Sequence, residues 1–278
     1  MATAYKQAAL TAQQKPKPTD FKLGNSFSTR LFLKIAAFSP GSINYKIVKA
    51  GQLCYREGAR CEALYVVCRG YLKLKRTTAN GEEMLVTVAS PGDLIGEFSL
   101  AGAENAGQAP IGYGSPGSSP AGSNEPLYHR NSALATEDTV IAAIHPDDFD
   151  MLVRHDSEAA YLFAMWMVQR EQISESKLRD TLSVPKQNAL ASYLLRLSNS
   201  FGFPVATGTR IQVKLTHAEL GELIGATRES VNRMLHAFKE QGIIGASRGY
   251  LIIEKEEKLK ELTGCPECPA CPTAICRI

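Results

Sequence analysis

Four of the seven cysteines lie in Cys265-Pro-Glu-Cys268-Pro-Ala-Cys271-Pro-Thr-Ala-Ile-Cys276, separated by two, two and four residues. A packed core has no use for four thiols in such a stretch. Soft thiolates at this spacing can converge on one inorganic core, and an iron–sulfur cluster suits them best. Pro266, Pro269 and Pro272 stiffen the backbone between the thiols and argue against a helix or a central strand. A zinc knuckle is the alternative use of the same ligands. A disulfide-bonded tail is the weaker alternative, because nothing else marks the chain as exported.

Something must position those thiols, and 278 residues are enough for two domains with cores of their own. With 44% hydrophobic and 21% charged residues the composition is that of an ordinary globular protein. No apolar run near the start serves as a signal peptide, and no stretch approaches the ~18 apolar residues of a membrane span. The chain is therefore expected to be cytoplasmic, with its cysteines as thiols or metal ligands. Residues 1–50 carry eight Lys/Arg (Lys6, Lys15, Lys17, Lys22, Arg30, Lys34, Lys46, Lys49) against the single acid Asp20. A basic arm over 1–40 suits a nucleic-acid-binding protein, although a solvated tail has the same composition.

Short strands punctuated by glycine fill the next segment: Ile47-Val48, Ala63–Cys68, Tyr71–Lys75 and Met84–Ala89, with Val140–Ile144 as a last strand. Turn signals at Gly51, Gly58, Gly70, Asn80-Gly81 and Pro91-Gly92 make 41–145 an all-β barrel or jelly roll. Cys54, Cys61 and Cys68 fall inside it and read as small, largely buried apolar residues. Residues 101–126 hold six glycines and four prolines and are expected to be a mobile loop. From 146 to 182 the pattern turns helical. Leu162, Trp166, Gln169, Ile173 and Ser176 follow three-four spacing, a seam that would pair with its copy in a homodimer.

Residues 183–255 read as a second domain, followed by the cysteine-rich tail 256–278. A helix near Lys186–Ser198 and a strand at Arg210–Lys214 lead into Leu215-Thr216-His217-Ala218-Glu219-Leu220. Thr216 and Glu219 form a capping box that starts one helix, Gly225 ends it, and Thr227 caps the next. Leu220, Leu223, Ile224, Val231 and Leu235 supply the shared core of a helix-turn-helix. Gly242 closes the second helix, and Ile243-Ile244 with Tyr250–Ile253 form a small β wing. The exposed first turns of the second helix carry Arg228, Glu229, Asn232 and Arg233. An arginine fork matches guanine O6 and N7, and a glutamate accepts from cytosine N4. Both signs of charge on that face argue for reading bases over holding phosphates alone.

Arg228-Glu229-Ser230-Val231-Asn232-Arg233 resembles the recognition-helix signature of the Crp/Fnr transcription regulators, and Pro91-Gly92-Asp93-Leu94-Ile95-Gly96-Glu97 resembles that family's cyclic-nucleotide-type jelly roll. The resemblance spans roughly residues 40–255. It implies an α+β architecture: a β jelly roll, a long dimerisation helix and a C-terminal winged helix-turn-helix. It further implies a homodimer on palindromic double-stranded DNA with TGTGA-type half-sites, RNA polymerase as a partner, and no enzymatic activity. Cyclic-AMP-binding members hold the cyclic phosphate with Arg-Ser-Ala. Here the matching stretch is Arg130-Asn131-Ser132-Ala133, and neutral Asn131 cannot balance a phosphate.

Cys268-x2-Cys271-x4-Cys276 is similar to the C-terminal motif of Bacillus-type Fnr regulators, which carry a [4Fe–4S] cluster as an oxygen sensor. That resemblance implies three cysteine ligands and an aspartate near the end of the dimer helix, for which Lys177-Leu178-Arg179-Asp180 offers Asp180. Cys265 is the alternative fourth ligand, since Cys265-x2-Cys268-x2-Cys271 looks like the opening of a ferredoxin motif. The expected function is an oxygen- or redox-sensing, DNA-binding regulator. The alternative is a Crp-like regulator with a small ligand in the barrel and zinc in the tail. An electron carrier fused to a regulator is disfavoured, because no flavin, nicotinamide or second-cluster motif appears.

Overall fold

The computed structural model describes residues 17–97, 128–182, 184–265 and 275–278; the predicted loop 101–126 and the candidate ligands Cys268 and Cys271 lie outside these. The chain divides into two compact units, one of residues up to 83 with 89–166, the other of residues 84–88 with 167 onward.

Two four-stranded sheets are built from residues 44–144. One runs β1 (Asn44–Val48), β8 (Thr139–Ile144), β3 (Leu64–Arg69), β6 (Leu94–Ile95); the other runs β2 (Leu53–Tyr55), β7 (Ser132–Ala135), β4 (Leu72–Thr77), β5 (Glu83–Ala89). All their strands but β5, most of which is grouped with the second unit, belong to the first unit. β8 pairs antiparallel with both β1 and β3 and is buried at all six positions. Its side chains alternate between two cores, as a strand covered on both faces must. Val140, Ala142 and Ile144 join one cluster with Leu64, Val66, Phe149, Phe163 and Trp166. Ile141 and Ala143 join the other with Val67, Leu72 and Ala133. Gly92 has φ 92°, and a Cβ there would lie 2.6 Å from the Leu23 carbonyl, so the Pro91-Gly92 turn admits only glycine without rearrangement.

Three expectations change. Residues assigned to a basic arm form α1 (Phe27–Phe38), capped by Ser26, whose Oγ accepts from Thr29 N at 3.1 Å. Leu31, Phe32 and Ile35 pack into the barrel core, each burial worth about 1.5–3 kcal/mol. The charge count hid this apolar stripe. The helical span 146–182 is two helices, α2 (Pro146–His155) and α3 (Ser157–Leu182). Asp156 separates them: its Oδ1 accepts from Ala159 N at 2.9 Å and its Oδ2 pairs with Lys34 at 2.9 Å. Finally, Leu162 and Trp166 of the predicted seam are buried in the barrel's own core. The exposed apolar residues of α3 are instead Tyr161, Met167, Val168, Leu178 and Leu182.

The second unit contains α4 (Lys186–Phe201), β9 (Gly202–Val205), β10 (Gly208–Ile211), α5 (His217–Ile224), α6 (Arg228–Glu240), β11 (Ile244–Ser247), β12 (Tyr250–Ile253) and α7 (Glu256–Thr263). The strands form one sheet in the order β11-β12-β10-β9. Helix α4 buries Leu190, Leu194 and Leu197, among others, and α7 packs against it with Leu259 fully buried. The charge-rich Glu256-Glu-Lys-Leu-Lys-Glu run offers one apolar anchor, Leu259, so a segment expected to be tail forms α7 instead.

Candidate functional site

The helix-turn-helix forms as its capping residues dictate. Thr216 N donates to Glu219 Oε2 at 2.9 Å and Glu219 N donates to Thr216 Oγ1 at 3.1 Å, closing the capping box at the start of α5. Gly225 ends α5 in the left-handed region at φ 64°, where a side chain would be strained. Thr227 then accepts from Ser230 N at 3.2 Å to start α6. Leu220, Leu223, Ile224, Val231 and Leu235 are all buried between the two helices. That burial leaves Arg228, Glu229, Asn232 and Arg233 together on the exposed opening turns of α6. Among the described residues no ion pair joins Glu229 to Arg233; Arg233 Nη2 donates to Ser230 Oγ at 3.3 Å.

Two cations on and after β10, which the sequence pattern did not single out, stack on aromatic rings of the same sheet. Arg210 lies over the Phe203 ring at 5.7 Å and the Tyr250 ring at 5.4 Å, and Lys214 over Tyr250 at 4.8 Å. The β11–β12 hairpin turns through Arg248 and Gly249, both at positive φ (51° and 80°). The aromatic spacing around Arg210 and Lys214 was the available signal.

The second cluster of chemistry centres on Asp180, which is buried near the end of α3. Its Oδ2 accepts from Arg196 Nη2 at 2.6 Å, from Arg196 Nε at 3.1 Å, and from Ser192 Oγ. Its Oδ1 accepts from exposed Arg179, Nη2 at 3.2 Å and Nε at 3.3 Å. Burial alone would raise the carboxyl's pKa, but the hydrogen bonds from Ser192 and Arg196 outweigh it and hold the group below the usual carboxylate range. Burial pushes the nearby Lys177 amine down to about 8, and the charges of Arg196 and Arg170 push the same way.

Arg196 also reaches the tail. Its Nη1 donates to the carbonyls of Ile275 and Arg277, each at 3.2 Å. Asn199 Nδ2 donates to the Cys276 carbonyl at 3.0 Å, and Ile278 N donates to Ser200 Oγ at 3.0 Å. Ser192, Arg196, Asn199 and Ser200 recur at three- and four-residue spacing on α4, so one helix face carries both the Asp180 contacts and the tail contacts. The Asp180 carboxylate and the backbone on either side of Cys276 therefore meet around one guanidinium. Cys265 follows Gly264, which ends α7 at φ 66°. Among the described residues, no three His, Cys, Asp or Glu side chains are gathered as a metal site requires; two of the candidate cysteines are not among them.

In the barrel, Cys68 is buried while Cys54 and Cys61 are half-buried. Arg130 and Asn131 precede β7, and Arg130 N donates to Glu97 Oε1 at 2.9 Å. Buried His129 stacks on Tyr55 with ring centroids 3.8 Å apart.

Residues 188–262 match the family model described as a Crp-like helix-turn-helix domain, and residues 45–109 match the cyclic nucleotide-binding domain. The Anaerobic regulatory protein of Bacillus subtilis (strain 168) is 30% identical over 216 residues, covering 76% of this chain and 82% of that protein. The chain belongs to the Crp/Fnr family. A Cyclic AMP receptor protein of Thermus thermophilus is 28% identical over 218 residues, 78% of this chain and 87% of that one. Among solved structures, a CRP-family transcriptional regulator from Thermus thermophilus aligns with TM-score 0.60 at 18% identity, over 79% of this chain and 96% of that one. FixK2 from Bradyrhizobium japonicum aligns with TM-score 0.61 at 19% identity, over 79% and 96%. These two share the fold. As a Crp/Fnr member the chain is a DNA-binding transcription regulator, in a family of regulators and not of enzymes, and α6 is the second helix of its helix-turn-helix. No helix among the described residues is long and apolar enough to cross a membrane.

Proposed function

We propose that this regulator senses oxygen or redox state through a [4Fe–4S] cluster held by Cys268, Cys271, Cys276 and Asp180, with Cys265 as the alternative fourth ligand. The observation that carries the reading is the meeting of Asp180 and the Cys276 segment on Arg196. The donor set fits the group. Asp180 is buried with its carboxyl held below the usual carboxylate range, and the guanidinium groups of Arg179 and Arg196 lie on its two oxygens, a positive surrounding that favours thiolates over thiols. Asp180 Oδ1 accepts from the exposed Arg179, while Oδ2 is anchored to Arg196 and Ser192. When bound, the cluster supplies an oxygen-labile cross-link between tail and helix.

The chain's own residues carry that link toward DNA. At the residue after Asp180, the Thr181 carbonyl accepts from Lys186 Nζ at 3.3 Å, and the same amine donates to the Ile224 carbonyl at 2.8 Å. Ile224 is the last residue of α5, so a change at the end of α3 reaches the turn that orients α6. Exposed Tyr161, Val168 and Leu182 are spaced by multiples of seven, with Leu178 a helical turn before Leu182. That stripe is suited to a second copy of α3, so the protein acts as a homodimer on a palindromic site of TGTGA-type half-sites, working with RNA polymerase in the cytoplasm. The Anaerobic regulatory protein of Bacillus subtilis, similar over most of both chains, supports this reading.

Iron and acid-labile sulfide are counted after purification without oxygen. About four of each per chain are expected. Zinc without sulfide would replace the sensor by a metal staple and return attention to the barrel as the receptor.

A further inference from the structure

We infer that Arg196 is the positioning residue of the tail site: its guanidinium docks the Cys276 segment beside Asp180 before any metal is present. The inference rests on the cluster reading for its purpose and on the hydrogen-bond geometry for its content. Arginine has five N–H donors in a rigid fork. All five are used here: Nε and one Nη2 hydrogen on Asp180 Oδ2, the other Nη2 hydrogen on Ser176 Oγ, and both Nη1 hydrogens on the carbonyls of Ile275 and Arg277. The side chain is 1% exposed, so it is held on every side. A charge this deep is costly unless paired, and Asp180 pairs it.

The two carbonyls flank Cys276. Fixing the peptide on both sides limits where its thiol can go, and Asn199 adds a third contact at the Cys276 carbonyl. The same guanidinium fixes Asp180 through Oδ2 alone, leaving Oδ1 to the exposed Arg179. One side chain thus sets the relative position of a thiol and a carboxylate separated by nearly a hundred residues of sequence. Lysine would keep the charge, but a single ammonium cannot span Asp180, Ser176 and two carbonyls.

The test uses the full-length apoprotein in chelator and reductant, so that no cluster takes part. The rate of Cys276 alkylation is read by peptide fragmentation, with Cys265 as an internal control. Arg196→Lys should raise the Cys276 rate about tenfold or more while the Cys265 rate holds. Because Arg196 is buried, the variant could lose its fold. The exposed Asn199→Ala variant covers that outcome: it removes one carbonyl contact and should raise the rate about two- to tenfold, the worth of one net hydrogen bond. A Cys276 rate unchanged in Asn199→Ala, and in any folded Arg196→Lys, overturns the inference. Iron counting on the same proteins is a separate arm. A wild type without iron would remove the cluster reading, and the labelling would still decide whether Arg196 docks the tail.

Discussion

Asp180 and Arg196 form a buried ion pair, Nη2 to Oδ2 at 2.6 Å, in which the carboxylate comes from the end of α3 and the guanidinium from the middle of α4. Truncating one partner leaves the other charge buried without compensation, which typically costs 3–5 kcal/mol. Asp180→Ala should therefore lower the apoprotein's melting temperature as well as its iron content. Asp180→Ala with Arg196→Met should recover part of the stability and none of the iron. A single mutant as stable as wild type, measured by thermal denaturation, would mean that the pair is not buried in solution.

Base reading by α6 is tested on DNA. Arg228→Ala or Glu229→Ala should weaken binding to the palindromic site by about 1–3 kcal/mol while dimerisation survives. Equal losses on random DNA, in titrations at fixed salt, would assign these side chains to phosphate. Lys214→Ala, beside Tyr250 of the wing, should show that non-specific pattern, with a shallower salt dependence.

Much of the second unit was legible because its signals are local. Thr216 with Glu219, Gly225 and Thr227 each act within four residues, and the structure forms the caps and the turn where these residues stand. The Asp180 site was legible only by likeness to a family. Its organiser, Arg196, bonds across 16 residues to Asp180 and across 79 to Ile275, and no local pattern encodes such partners. One clue was present: an arginine inside the apolar run Leu194-Leu195-Arg196-Leu197. The first unit misled where charge counting overrode periodicity, as at Leu31, Phe32 and Ile35, and where the α3 seam proved to serve the barrel's own core through Leu162 and Trp166.

The capping box gives a stability test. Thr216→Ala removes the oxygen that accepts from Glu219 N and should cost about 0.5–2 kcal/mol, with weaker DNA binding as α5 frays. Thr216→Ser should restore both. Denaturant melts of the three proteins check this; an unaffected alanine variant would deny the cap any energetic role.

His129 gives the barrel a pH dependence. Burial lowers its pKa from 6.5 to about 4, and among the described residues its Nδ1 has no hydrogen-bond partner. The unfolded chain takes up this proton first as pH falls, so stability is lost between pH 6.5 and about 4 and the loss is complete below that. His129→Phe keeps a ring against Tyr55 and should flatten that part of the curve. Equal slopes for wild type and variant between pH 7 and 4.5 would show that His129 is not buried neutral.

Saturating cyclic AMP should leave DNA affinity unchanged, since Asn131 stands where a phosphate-holding arginine is required. Micromolar binding by calorimetry together with tighter DNA binding would contradict this and favour the barrel as the sensor.

The ligand set is the core of the proposal, and iron content per chain after purification without oxygen tests it most directly in Cys265→Ser beside Asp180→Asn. If Asp180 completes the site, Cys265→Ser retains the wild-type iron, sulfide and visible spectrum, while Asp180→Asn loses iron. Loss of iron from Cys265→Ser, with Asp180→Asn still loaded, would mean four-cysteine ligation and no cluster bond to α3.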